Sequence, residues 1–335
     1  MKLSVLDQST AATGKPEDQS VRDTIELAQA CEAWGYHRFW VSEHHNHPTI
    51  VGTAPEIVMA AIGQATDRIR IGSAGVMLPH YAPLKVAEQF RVLEAIAPGR
   101  VDLGLGRAPG SDGKTAYALN PNAHEDAENF PANVRDLMAW VSGQPLVDGH
   151  PFGAMQAHPM SHTSPEIWIL GTSDYGAQVA AHFGIPYCFA HFITDGRGVE
   201  RALQIYRENY KPSDQNPEPI ANVCVWALAA DTPADAERLF APRAHWKLMR
   251  EKGDLRAIDS PKTIADAAYT EADMERLNQL RQIAIVGDAD NVSTELRNIA
   301  TAYDVNELVV LTWTYEQTDR RRSYELLAGA FNLSG

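Results

Sequence analysis

Eight short runs of β-branched and apolar residues, separated by longer segments of helical period, constrain this chain more than any other feature. The runs occupy residues 3–6, 37–41, 69–76, 100–105, 167–170, 186–190, 223–229 and 308–312. Between the first two, Val21, Ile25, Ala28 and Cys31 step by 4, 3 and 3, which lines one face of a helix. Between the third and fourth, Val86, Phe90, Leu93 and Ala97 step by 4, 3 and 4. Repeated strand-then-helix order implies parallel strands with right-handed crossovers, and eight such units can close into a barrel ringed by helices. An open doubly wound sheet competes, but it usually has fewer strands and a glycine-rich first turn, which residues 7–13 lack. The expectation is an α/β chain forming one domain over 1–335, a (β/α)8 TIM barrel.

Helix starts carry their own signals. Thr53 ahead of Pro55 and Glu56 reads as a capping box, and Thr232 followed by Pro233 and Asp235 places proline in a first helical turn. Two stretches exceed the minimal repeat and are expected as insertions after strands 4 and 7. Residues 120–164 hold a helical segment at 134–140 and then a polar run read as a loop or short hairpin; residues 243–280 are charged and precede a short apolar run at 283–286.

Composition narrows the class. No stretch approaches the roughly 20 apolar residues of a membrane span, the start shows no signal-peptide pattern, and a cytoplasmic location is expected. A net charge of −14 speaks against a general nucleic-acid partner. Cys31, Cys188 and Cys224 form no CxxC pair and sit in apolar stretches, so buried free thiols are expected rather than a disulfide framework or thiolate metal site.

In a barrel, chemistry gathers where strands end. The second run ends in Ser42-Glu43-His44-His45-Asn46-His47. On an extended segment Glu43 and His45 share one side and His44 takes the other. These side chains could cap loops. His45 and His47 also have the spacing of a two-imidazole metal site, but no matching aspartate follows the last strand. A third reading makes one imidazole a general acid or base beside an organic cofactor.

Such a cofactor asks for a phosphate cradle. Gly171-Thr172-Ser173-Asp174-Tyr175-Gly176 leads from the fifth run into a helix, where backbone N–H groups can face an anion; simple capping by Asp174 is the alternative. Gly104-Leu105-Gly106-Arg107-Ala108-Pro109-Gly110 departs from the dinucleotide fingerprint, since Pro109 interrupts the required helix. It suits a glycine-lined rim with Arg107 turned to a phosphate or to a surface carboxylate. Small residues at 72–75 allow a flat ring close to the backbone or tight packing.

Taken in order, Ser42-Glu43-His44-His45, the segment from Leu78 through Pro98-Gly99-Arg100, and Gly104-Leu105-Gly106-Arg107 resemble the luciferase-like monooxygenase family over nearly the whole chain. The resemblance implies a barrel that binds flavin mononucleotide (FMN), or the deazaflavin F420 in some branches, at the strand ends. It assigns His44 to proton transfer at the flavin. It implies cofactor contacts from Glu43, from a cis peptide at Ala74-Gly75 against the ring, from Arg107 and from Thr172, Ser173, Asp174, Tyr175 and Gly176 at the phosphate and ribityl chain. His191, with Phe189 and Phe192, matches a pocket wall.

Two departures stand out. Gly106 occupies the place of the reactive cysteine of bacterial luciferase, and an arginine expected near Phe130 is absent, with Arg135 the nearest candidate. Light emission is therefore not implied. The resemblance implies a two-component monooxygenase that takes FMNH2 from a separate NAD(P)H:flavin reductase and uses O2 on a small organic substrate. It further implies a homodimer. An F420-dependent dehydrogenase on the same barrel, or a flavin-binding protein without catalysis, are the alternatives.

Overall fold

The computed structural model describes all residues, Met1–Gly335. Ten strands form in chain order: β1 (Lys2–Asp7), β2 (Arg38–Val41), β3 (Arg70–Ser73), β4 (Val76–Met77), β5 (Val101–Gly106), β6 (Glu166–Gly171), β7 (Tyr187–Ala190), β8 (Ala221–Ala230), β9 (Ile285–Asp288) and β10 (Glu307–Leu311). All named-strand pairings are parallel. β10 pairs both with β1, from Lys2↔Glu307 to Leu6↔Leu311, and with β8, from Leu308↔Val223 to Leu311↔Trp226. That double pairing closes an eight-membered ring, the expected barrel. β4 continues the third position beyond the cis Ala74-Gly75 bond, and β9 extends the far half of β8 outside the ring.

The alternation of side chains along each strand produces two separate cores. Leu3, Val5, Phe39, Ile71, Leu103, Ile169, Tyr187, Val225 and Val310 point outward and join the helices in one large cluster. Leu6, Trp40, Trp168, Cys188, Cys224, Trp226, Val309 and Leu311 fill the barrel interior. Inside, Trp40 meets Trp168 edge-on at 5.2 Å, and glycines make room for them. A Cβ on Gly72 would lie 2.6 Å from the Trp40 ring, and one on Gly104 would lie 2.1 Å from the Ser73 carbonyl oxygen. In the third run Gly72 thus serves interior packing.

Below the tryptophans the barrel floor is charged. Arg38 contacts Asp102 at 2.9 Å, Glu166 at 2.7 Å and Glu307 at 3.0 Å, Ser4 donates to Glu307, and Arg70 also pairs with Asp102. All three cysteines are buried and free.

Several sequence expectations are corrected. The helix Pro55–Ala65 is entered through Ala54, with no side-chain cap, so Thr53 forms no capping box. Thr232 does cap its helix, accepting from the Asp235 N–H. The first insertion holds helices Gly113–Leu119 and Ala123–Glu128 ahead of the barrel helix Phe130–Ser142, and residues 143–165 form a loop, one of the two forms expected for the polar run. The second begins later than position 243, because the helix Pro233–Glu251 runs on through Pro242 before the short helices Pro261–Ala265 and Glu271–Gln282. No helix is long and apolar enough to cross a membrane.

Candidate active site

Strand parity continues past Val41. Trp40 faces the interior and Val41 the helices, so Ser42 and His44 turn inward while Glu43 and His45 turn away. Glu43, 1% exposed, accepts hydrogen bonds from Tyr81 Oη at 2.7 Å and the Met77 N–H at 3.0 Å, and His45 Nε2 lies 2.7 Å from its Oε1. Burial and this carboxylate raise the Tyr81 phenol well above its ordinary pKa. Protein groups therefore occupy Glu43, which ties the end of β2 to β4.

His44 is the inward imidazole. Burial, and then the neighbouring His47 and His45, lower its pKa to about 4, so it is neutral at pH 7. Its Nδ1 is sealed without a partner, whereas Nε2 is not among the sealed atoms and borders the mouth. His47 lies edge-on to it at 5.8 Å and accepts the Thr49 and Ile50 N–H groups at Nδ1, at 3.1 and 3.0 Å. The HxH imidazoles are thus directed to different partners, His45 to Glu43 and His47 to backbone.

Across the mouth, β6 ends at Gly171 and the helix Asp174–Phe183 begins after Ser173, whose backbone is extended and whose side chain makes no cap. The first-turn N–H groups have no intrahelical acceptor, and the helix dipole favours an anion there. The Arg107 guanidinium sits 4.2 Å from the Tyr175 ring centre, bringing a cation to the same turn. Asp174 does not cap: its carboxylate pairs with Arg201 at 2.8 Å. Gly176 packs toward Ile169 and Tyr187 and offers only its backbone. Thr172, half-buried, makes no side-chain cap.

The Ala74-Gly75 bond is cis; Ala74 packs on the interior cluster, and a Cβ on Gly75 would lie 2.9 Å from the Gly104 carbonyl oxygen. Other buried polar atoms at strand ends lack partners as well, among them Gln8 Oε1, Ser42 Oγ, Trp226 Nε1 and Trp313 Nε1. Buried polar groups are normally satisfied, so this concentration at one end of the barrel marks a binding face.

The sequence profile described as luciferase-like monooxygenase matches residues 1–304. The chain belongs to the luciferase-like monooxygenase family. It is 40% identical to the Bacillus subtilis protein YwcH over 332 residues, covering 99% of each chain. It is 34% identical to the N-acetyl-S-alkylcysteine monooxygenase of the same organism, covering 98% of each. Among solved structures, apo-MsnO8 superposes with a TM-score of 0.90 at 34% identity, covering 99% of each chain. The FMN complex of the oxygenating constituent of 3,6-diketocamphane monooxygenase from Pseudomonas putida shares the fold, with a TM-score of 0.73 at 19% identity over 98% and 96% of the two chains.

Within this luciferase-like barrel, the structure brings His44, Ala74, Gly75, Arg107 and the turn 172–176 to one end, and leaves His191 aside. The His191 ring lies 6.3 Å from Tyr303 and against Gly196, on the helix side shared with Phe189. Phe192, one residue on, packs on the interior cluster. A short helix, His191–Thr194, starts directly after β7, and His191 keeps the outward side that alternation from Phe189 gives it. Arg135 is held by Asp136 at 2.7 Å. Residues that the sequence did not single out also face the mouth: Gln8, Trp226 and Trp313 at strand ends, readable from position, and Arg243, hidden in a charged helical stretch.

Proposed function

We propose that this protein is the oxygenase component of a two-component FMN-dependent monooxygenase, taking FMNH2 from a separate NAD(P)H:flavin reductase and using O2 on a small organic substrate. The observation that carries the reading is the pairing, at one barrel end, of a neutral inward imidazole with an uncapped helix N-terminus flanked by Arg107. A phosphorylated planar group fits this donor set. Backbone N–H groups of Asp174, Tyr175 and Gly176, with Arg107 and the hydroxyls of Thr172 and Ser173, would hold the phosphate and its chain. The low wall at Ala74-Gly75 leaves space for a ring, and the unpartnered polar atoms of Gln8 and Ser42 supply partners around it.

Reduced flavin, when bound, supplies the electrons that activate oxygen. The protein's own contribution is positional and electrostatic. Glu43 fixes β2 to β4 and so sets where His44 stands. His44 holds or moves a proton at Nε2, and a negative charge brought beside it raises its pKa from the depressed value toward a useful range. The helix Pro233–Glu251 and its connection restrict water at the mouth: Trp246 Nε1 donates to Thr49 Oγ1 at 2.8 Å, and Ile258 bridges to Ala12. The reading also includes a homodimer, for which Ile57 and Val92, exposed on adjacent helices, offer apolar contact.

Titration with FMN and with F420, followed by flavin fluorescence, tests the cofactor. Stoichiometric FMN or FMNH2 binding is expected, and F420 binding in its place would overturn the reading. His44→Ala is expected to keep flavin affinity and to lose about 10²-fold or more in reduced-flavin-dependent turnover; unchanged turnover would remove His44 from its role.

A further inference from the structure

Arg243 is a buried cation that the site described so far leaves unused. It lies on the inner face of the helix Pro233–Glu251, is 8% exposed, and its guanidinium stands 3.9 Å from the Trp226 ring centre. No carboxylate or hydroxyl partners it; the charge that acts on it is Asp195, at a distance. Both Asp195 oxygens are already taken by Lys247, at 3.0 and 3.3 Å. Two cations therefore face one carboxylate. Burial pushes the Arg243 pKa down to about 9, which keeps it charged at neutral pH.

Burying a cation without a counter-charge is costly, and a ring face offsets only part of that cost. None of its side-chain nitrogens is among the sealed unpartnered atoms, so the guanidinium borders open space. Aromatic residues gather nearby: Trp226 packs against Phe240 at 5.7 Å, Trp313 meets Trp246 of the same helix at 4.8 Å, and the short helix that carries Phe192 packs on β8. A planar cation set over an aromatic ring among apolar side chains is the complement of an apolar body bearing an oxyanion.

We propose that Arg243 anchors a substrate subsite for organic acids, with the guanidinium receiving a carboxylate or sulfonate and Trp226 and Phe192 flanking the apolar part. This rests on the monooxygenase reading and narrows its substrate class. The subsite is separate from the phosphate cradle. Arg243 and Asp195 lie beyond the ends of β8 and β7, whereas Arg107 and Ser173 lie beyond β5 and β6, and the ring order β5-β6-β7-β8 sets them along different sectors of the mouth.

Phenylacetate and its uncharged analogue phenylacetamide are the probes, followed by quenching of tryptophan emission, since Trp226 lies under the guanidinium. Wild-type protein is expected to bind phenylacetate about tenfold more tightly than the amide, and Arg243→Met to lose that preference while FMN affinity stays within about threefold. Arg243→Lys, which keeps the charge without the fork, supplies the test if the methionine variant does not fold, with an expected partial loss of about threefold or more. Equal binding of acid and amide by wild type, or a preference that survives in both variants, overturns the subsite. A variant that loses FMN while keeping the acid preference would assign Arg243 to the cofactor and overturn it too. Because the acid preference is read without flavin, a protein that fails to bind FMN but discriminates acid from amide would sink the cofactor reading and leave the subsite standing.

Discussion

His44 is costly to keep as a histidine. Its Nδ1 is sealed without a partner and its charged form is disfavoured by burial, so the folded state resists a proton that the unfolded chain takes up near pH 6.5. The sign follows from linkage. Between pH 6.5 and about 4 the unfolded state binds more protons, so stability falls as pH is lowered through that window and levels off below it. The His44 contribution is on the order of 1–3 kcal/mol at full development. Urea unfolding at pH 7 and pH 5 is expected to show a smaller acid loss in His44→Asn than in wild type; identical losses would place the sensitivity in other groups. His37, whose pKa burial also lowers to about 4, remains in both proteins and cancels from the comparison. A residue that taxes stability in this way is where function is sought.

At the scale of the element, the barrel interior depends on glycines as much as on tryptophans. Gly104 faces the Ser73 carbonyl oxygen and the Leu170 side chain so closely that a methyl group cannot enter without moving β3 or β6. Gly104→Ala is expected to cost about 3 kcal/mol or more, the price of overpacking against backbone. Gly113→Ala, at a helix start with nothing within 4 Å, is expected to stay within about 0.5 kcal/mol of wild type. Equal effects in denaturant unfolding would refute the packing argument. The same elements show what the sequence could tell. Strand positions were legible because apolar runs of fixed character recur between helical periods, and Thr232 was legible because capping is local chemistry. Whether Gly72 and Gly104 served a ligand or interior packing was not, because Trp40 meets Gly72, and Ser73 and Leu170 meet Gly104, only after β2, β3, β5 and β6 pair. His44 could be singled out from strand alternation and family resemblance together. His191 was set at the pocket wall by family resemblance alone, whereas alternation from Phe189 turns it toward the helices, and Arg243 was missed because an exposed and a buried arginine look alike in a charged helix.

For the whole molecule, closure and floor are one problem. The N-terminal strand pairs with the last one, so the ring is complete only when residues 2–6 and 307–311 meet, although the family profile ends at residue 304. The floor fastens the same junction: Ser4 from β1, Arg38 from β2, Asp102 from β5, Glu166 from β6 and Glu307 from β10 converge there. Glu307 carries the strain of this burial, which raises its carboxyl pKa while the Arg38 charge opposes the rise. Removing the cation leaves the Asp102 and Glu307 side chains, 0% and 8% exposed, without the charge that three carboxylates share. Arg38→Met is therefore expected to cost about 3–5 kcal/mol, the usual consequence of breaking a buried ion pair from one side. Arg322→Met, which removes a surface pair with Asp231, is expected to cost no more than about 1 kcal/mol. Denaturant unfolding of the two variants beside wild type checks the contrast. If Arg38→Met proved as mild as Arg322→Met, the floor would not be what fastens the first strand to the last, and the aromatic interior above it would have to hold the ring closed alone.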